Sequence, residues 1–194
     1  MAVEVDTPKI VPGRACGTCT LCCKVLVIHE LSKPSGTWCP KCKVGKGCSI
    51  YGEHPSECRT FFCGYLIGPQ LAEHWRPTRA KMVLSFDDRH ITVHVDPGTP
   101  SAWRNEPCYS DLKRWSSEVA ALRGNVYVAI GRRVIVMLPQ GGETDLGTVG
   151  EDERILTREL PGFAGKRLDV IKVKHDDPRL GGKGSGGAFL PARW

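Results

Sequence analysis

Nine of the ten cysteines of this chain lie between Cys16 and Cys63, and four of them fall within the eight residues CGTCTLCC that begin at Cys16. A chain of 194 residues is long enough to bury a hydrophobic core, so it does not need cross-links to replace one. So many thiols in one short segment constrain the fold strongly. They form either a disulfide framework or a metal site, depending on the redox state of the compartment.

The N-terminal sequence predicts a reducing compartment. The stretch MAVEVDTPKIVPGRA carries acidic residues and lacks the apolar run of a signal peptide. No apolar run elsewhere approaches the ~18 residues that cross a membrane. We therefore expect a soluble, cytoplasmic protein without a membrane partner, and in the cytoplasm such a cysteine cluster is more often a metal site.

The cysteine spacing fits tetrahedral zinc. Two residues between ligands let a tight turn direct both sulfurs at one ion. Three pairs have this spacing: Cys16/Cys19, Cys19/Cys22 and Cys39/Cys42. Sixteen residues separate Cys22 from Cys39, which is a zinc-ribbon separation. By spacing, one centre takes Cys19, Cys22, Cys39 and Cys42. A second centre takes Cys48, Cys58 and Cys63, completed by Cys16 or Cys23, or less favourably by His29 or His54.

Iron–sulfur chemistry remains an alternative for the same cysteines. The C-x2-C-x2-C run at Cys16, Cys19 and Cys22 is similar to the start of a bacterial ferredoxin motif, and Pro40 follows Cys39 as proline follows that motif's fourth cysteine. The fourth cysteine is far from the first three here, so the match is partial. Spacing alone leaves zinc and iron–sulfur open.

The segment from about residue 14 to residue 66 resembles the YkgJ-like, or CxxCxxCC, cysteine-cluster family of zinc- or iron-chelating domains. The resemblance is carried by CGTCTLCCKV, WCPKC and GKGCSIYGEHPSECRTFFCGYL, in the family's order. One departure is His54 before Pro55, where the family pattern has arginine. The resemblance implies metal binding by a pool of nine cysteines: Cys16, Cys19, Cys22, Cys23, Cys39, Cys42, Cys48, Cys58 and Cys63. A related cluster in flagellin lysine methylases points to iron–sulfur.

The charge of this segment fits thiolate clusters. Seven Lys or Arg and three Glu lie between Arg14 and Cys63, which leaves an excess of four positive charges. Four thiolates around a zinc dication carry a charge of 2−, so two such centres would cancel that excess. The same lysines could instead contact phosphates, and we keep a nucleic-acid-binding zinc module as a second alternative.

The rest of the sequence predicts an α+β fold: a small, irregular, metal-stabilised cysteine module at 1–70, then a mixed α+β domain of unknown role at 71–178. The second domain has antiparallel hairpins and one main helix, and a flexible Gly-rich tail follows at 179–194. In the module, KVLVIHEL suits a short strand, and a helical turn is expected after Pro55. Beyond it, KMVLSF pairs with HITVHV, VYVAI with RVIVML, and RILTREL and RLDVIKVK are further strands. The main helix is expected from about Pro107 to Arg123, with Gly124 at its exit.

No residue pattern predicts a catalytic site. Cys108 is expected to be a small buried residue, and His90 and His94 lie too far apart on one strand to bind a common ion. The sequence therefore favours a non-enzymatic metal-binding protein that presents a surface to an unidentified protein partner. The first alternative is a redox or iron–sulfur cluster-carrying accessory of an enzyme.

Overall fold

The structure is a computed structural model that describes residues 8–87, 89–162, 165–181 and 186–189. Its cysteine segment contains only short elements. They are helix α1 at Cys22–Val25, strands β1 at Cys42–Lys43 and β2 at Gly47–Cys48, helix α2 at Ser56–Thr60 and helix α3 at Gly64–Ile67. Most of the backbone between these elements consists of turns.

A five-stranded mixed sheet follows the cysteine segment. A four-residue helix, α4 at Pro77–Ala80, leads into it. Its strands are β3 at Met82–Asp87, β4 at His90–Val95, β5 at Val126–Ile130, β6 at Arg133–Met137 and β7 at Glu143–Thr148, and they lie side by side in chain order. Strands β4 and β5 are parallel, and every other neighbouring pair is antiparallel. The parallel pair is connected through the main helix, α5 at Cys108–Ala120.

A second sheet covers the opposite face of the five-stranded sheet. It contains β8 at Glu153–Gly162, β9 at Gly165–Lys174 and β10 at Gly186–Phe189, in the order β10-β8-β9. Alternate residues of β5 serve the two faces, as a pleated strand requires. Val126 and Val128 pack with Leu112 of α5, whereas Tyr127 packs with Ile155 of β8. The sheet is therefore buried on both sides.

A third hydrophobic cluster joins the cysteine segment to the five-stranded sheet. Leu21 and Val25 pack against Val83 of β3. Lys24 adds a salt bridge to Asp96, with 2.6 Å between Nζ and Oδ1, and both side chains are largely buried. The segment thus rests on the edge strand of the sheet through apolar packing and one shielded ion pair.

The predicted α+β class, its antiparallel hairpins and its single main helix are confirmed. KVLVIHEL is not a strand: α1 occupies its beginning and a 3₁₀ turn at His29–Leu31 its end. The strand propensity of isolated β-branched residues is overridden here by tertiary packing, because Val25 is buried against β3. The expected helical turn after Pro55 is present as α2.

The predicted tail lies partly outside the described residues, at 182–185 and 190–194. In its described part, Pro178–Gly181 form a 3₁₀ turn, and β10 pairs with β8. Among the residues that the structure describes, no helix is both long and apolar enough to cross a membrane. The division of the chain at residue 70 remains a prediction.

Candidate metal centre

All nine cysteines of the N-terminal segment line a single cavity of about 580 Å³. Basic side chains also line it, including Arg14, Lys41, Lys46 and Arg59. All ten cysteines of the chain are free thiols. Residues that are up to 47 positions apart in the sequence are therefore brought to one space.

Four of these thiols are neighbours of one another, and we call them the first set: Cys16, Cys19, Cys22 and Cys63. A tight turn, in which the Cys19 N–H donates to the Cys16 carbonyl at 2.8 Å, begins the set. Cys19, Cys22 and Cys63 all pack against the Leu21–Val25–Val83 cluster. Cys63 precedes α3 and interacts electrostatically with Cys16 and Cys19.

Four other thiols form the second set: Cys39, Cys42, Cys48 and Cys58. The Cys42 N–H donates to the Cys39 carbonyl at 3.0 Å, and Cys42 faces Cys48 across the β1–β2 hairpin. Gly47 allows this hairpin to close, because its φ of +119° is a conformation that other residues rarely adopt. Cys58, on α2, interacts electrostatically with Cys39 and Cys48.

Cys23 lies between the two sets. Its thiol is hydrogen-bonded to Cys22 of the first set and to Cys42 of the second. The bond from Cys22 is the main reason that the pKa of Cys23 falls to about 6, with smaller contributions from Cys42 and the Lys33 ammonium. The backbone supports this position, because the Cys39 N–H donates to the Cys23 carbonyl at 2.9 Å.

Most other thiols of the cavity have a raised pKa. Burial is the largest cause for Cys42, Cys58 and Cys63, whose pKa values each rise to about 11, and neighbouring thiolates add to it. Burial also raises the pKa of Cys16, and the hydrogen bond to Cys23 raises that of Cys22. These thiols resist ionisation mainly because they are buried and, to a smaller extent, because neighbouring thiolates repel one another, and a bound cation would offset both effects.

A buried lysine stands beside the junction of the two sets. Lys33 is only 3% exposed, and its ammonium donates to the Lys24 carbonyl at 2.9 Å and to the Leu26 carbonyl. It interacts electrostatically with thiols of both sets and with Cys23. Burial lowers its pKa, and the surrounding thiolates oppose that shift. The sequence gives no signal that this lysine, among the seven basic residues of the segment, is the one enclosed.

The donor set fits a thiophilic metal, since thiolates are the preferred ligands of zinc and of iron–sulfur clusters. Within the residues that the structure describes, no three or more His, Cys, Asp or Glu side chains are already gathered closely enough to hold an ion. The cysteines therefore suit a metal by their chemistry and by their shared cavity. To coordinate an ion, the nine thiols would have to move closer together.

The two histidines considered as substitute ligands have other contacts. His54 lines the cavity, stacks on Tyr51 with ring centroids 5.0 Å apart, and its Nδ1 accepts the Gly52 N–H. The His29 N–H donates to the Glu57 carboxylate at 2.8 Å.

Outside the cavity, Cys108 is buried, as expected, and burial raises its pKa to about 11. It lines a small cavity of about 200 Å³ with His74 and Arg79. His74 is held by Asp111 at 2.8 Å. His94 is buried and shares a hydrogen bond of 2.8 Å with Ser85, so it is a pairing residue of the β3–β4 hairpin.

Comparison of the chain with protein-family models, with curated proteins and with solved structures finds no match.

Proposed function

We propose that this protein binds metal through the nine cysteines of its N-terminal segment and that the bound metal stabilises this segment as a module. The role is non-enzymatic: the folded module presents a surface to a protein partner. The proposal includes a cytoplasmic location and a place in the YkgJ-like family, which rests on the residues quoted above.

One observation carries the proposal: nine thiols that are scattered over 48 positions of the sequence line one cavity. Free cysteines with no chemical role in common have no reason to converge in this way. Regular structure in the segment is confined to elements of two to five residues. A segment with so little core of its own is the kind that metal bonds stabilise.

The residues of the chain would act in defined ways. The thiolates supply the ligands, and Lys33 supplies a buried positive charge beside them. Leu21, Val25 and Val83 hold one side of the module on the sheet. The metal would supply the cross-links that the short elements lack.

Metal and acid-labile sulfide content, with a visible spectrum, test this function on full-length protein purified without oxygen and without an affinity metal. Zinc without colour supports the structural proposal. The expected content survives in Cys108→Ser, since that thiol lies outside the module. Protein that contains neither zinc nor iron, and that binds neither when supplied, would refute the proposal.

An iron–sulfur centre is the second candidate. Four aromatic side chains, Tyr51, Phe61, Phe62 and Tyr65, line the cavity with the cysteines. Aromatic rings around a cluster limit solvent access and so tune its redox potential. Iron with sulfide and a broad absorption band would favour a redox or cluster-carrying accessory over the structural role.

A further inference from the structure

The neighbours of each thiol divide the cavity's cysteines differently from their spacing in the sequence. Spacing groups Cys42 with Cys22, and Cys63 with Cys58. In the structure, Cys63 packs on the same apolar cluster as Cys22. Cys42 faces Cys48 in the β1–β2 hairpin, and Cys58 interacts with Cys48.

We infer that the cavity holds two separate thiolate metal sites, one built from the first set and one from the second, with Cys23 as the link between them. The inference rests on the proposed function, since it assigns the ligands of the same cavity. Each site takes a divalent, thiophilic ion or a cluster that four thiolates can hold.

The count of ligands supports this division. Each set contains four cysteines, the number that closes a structural zinc site or holds a four-iron cluster. Cys23 is the ninth, and it has a hydrogen-bonded neighbour in each set. All nine cysteines of the module are therefore assigned, eight to the two sets and Cys23 to the link between them.

Packing supports the division independently of the thiol interactions. Three members of the first set, Cys19, Cys22 and Cys63, pack on the apolar cluster against β3, and that cluster contains no member of the second set within the residues that the structure describes. The second set is carried by the β1–β2 hairpin and α2, and one backbone hydrogen bond, from Cys39 to Cys23, joins it to α1. Because different elements hold the two sets, each site can bind its metal independently of the other.

Charge supports two sites rather than one. Two four-thiolate centres of charge 2− each would carry four negative charges in total. The segment from Arg14 to Cys63 has an excess of four positive charges. Lys33 lies where the two sets meet and interacts with Cys22 of the first set and with Cys39 and Cys58 of the second.

Two double variants separate this grouping from the one that spacing predicts. Cys58→Ser with Cys63→Ser removes one ligand from each structural set, so both sites should be lost and metal per chain should fall to near zero. Cys42→Ser with Cys58→Ser removes two ligands from one set, so metal per chain should fall by about half. The grouping by spacing predicts the opposite pair of results.

The measurement is metal per chain on full-length protein, with zinc supplied alone to apo-protein as the probe, and with circular dichroism as a check of the sheet. Loss of all metal in Cys42→Ser with Cys58→Ser would overturn the division. Because this double variant could also lose metal by unfolding the module, Cys22→Ser with Cys63→Ser is measured as well. It removes two ligands of the first set and should retain about half the metal, whereas the grouping by spacing predicts near-complete loss.

The outcomes also distinguish this inference from the proposed function. A wild-type chain that binds no metal refutes the function itself. A wild-type chain that binds a single ion or cluster through these cysteines retains the function and overturns the division. Two equivalents in the wild type with a half loss in Cys42→Ser with Cys58→Ser supports both.

Discussion

Lys33 is the residue whose environment departs most from what its type predicts. Lysine is almost never fully buried unless it is paired, and here its ammonium is enclosed with two backbone carbonyls and several thiols. Two of its three N–H groups are used by the carbonyls of Lys24 and Leu26. The ammonium also interacts electrostatically with thiols of both sets, so we expect Lys33 to act as a positioning residue if these thiolates bind a metal.

Replacing Lys33 with methionine keeps most of the side-chain volume and removes the charge. Partners that support metal ligands in this way typically contribute 10- to 100-fold to metal affinity, so we expect a zinc affinity weaker by about that factor. Competition with a chelator of known affinity measures it. Lys43→Met, at an exposed position of the same module, is the matched control and should leave the affinity unchanged. Equal affinities of Lys33→Met and wild type would remove this role.

His94 predicts a pH dependence of stability. Burial lowers its pKa to about 3, whereas a histidine in the unfolded chain has a pKa near ~6.5. The unfolded state therefore binds the proton first, and the stability that the neutral ring provides is fully present above ~6.5 and is lost as the pH falls from there towards 3.

The size of this effect can be measured against His94→Gln, which cannot titrate and retains a polar group for Ser85. The free energy of unfolding of the wild type should fall, relative to the variant, by about 2 kcal/mol between pH 7 and pH 5. Urea denaturation at both pH values provides the comparison. A difference that stays constant over this range would show that His94 does not carry the dependence.

At the scale of elements, the end of α5 shows why a glycine is needed at Gly124. The sequence predicts Gly124 as the helix exit. In the structure the helix ends at Ala120, and the residue with left-handed backbone is Arg123, with a φ of +58°. Gly124 is required for a different reason: a Cβ there would lie 2.0 Å from the Arg89 carbonyl oxygen.

Two substitutions follow from this arrangement and should have opposite signs. Arg123→Gly relieves the left-handed strain of an exposed side chain and should stabilise the protein by about 1 kcal/mol. Gly124→Ala forces the backbone at Arg89 to move and should destabilise it by about 2–3 kcal/mol. Thermal unfolding monitored by circular dichroism compares them. A neutral Gly124→Ala would contradict the close approach.

Elements with a strong local pattern are the ones that the sequence predicts. The β3–β4 and β5–β6 hairpins and α5 have alternating or helical periodicity, and the structure contains all three. Strand β7 was not predicted, because ETDLGT is polar and lacks the alternating apolar pattern of a half-buried strand, although it pairs with β6 in a local hairpin. The exposed Leu122 belongs to the predicted helical pattern, yet it lies beyond the end of α5.

At the scale of the whole molecule, the cysteine segment and the five-stranded sheet share packing. Leu21 is buried with Val25 against Val83, and the Lys24–Asp96 ion pair closes beside them. Arg14 adds hydrogen bonds to the carbonyls of Tyr65, Gly68 and Leu71. These contacts tie the position of the cysteine segment to the stability of the sheet.

Leu21→Ala should reveal this connection. Removal of a buried leucine side chain leaves a cavity and should lower the free energy of unfolding by about 2–3 kcal/mol. The loss should appear first as faster proteolysis within the cysteine segment, which has few elements of its own. Leu122→Ala is the matched control, since that side chain is 67% exposed and should be close to neutral. Equal proteolysis of the two variants would contradict the shared packing.

At this scale, the sequence predicts the candidate site only in part. It identifies all nine cysteines of the cavity, because their density is a local signal. It does not identify the neighbours of each thiol. Cys63 and Cys19 are brought together because both pack on the cluster that contains Val83 of β3. Lys33 is buried because the chain folds back so that its ammonium bonds the Lys24 carbonyl of α1.

X-ray absorption at the metal edge of natively purified, full-length protein tests the central claim most directly, because it reads the atoms bound to the metal. We predict a first shell made of sulfur alone, at about 2.3 Å for zinc. It should be retained in Cys108→Ser. A shell dominated by nitrogen or oxygen, or protein without bound metal, would contradict the account of the nine cysteines as its ligands.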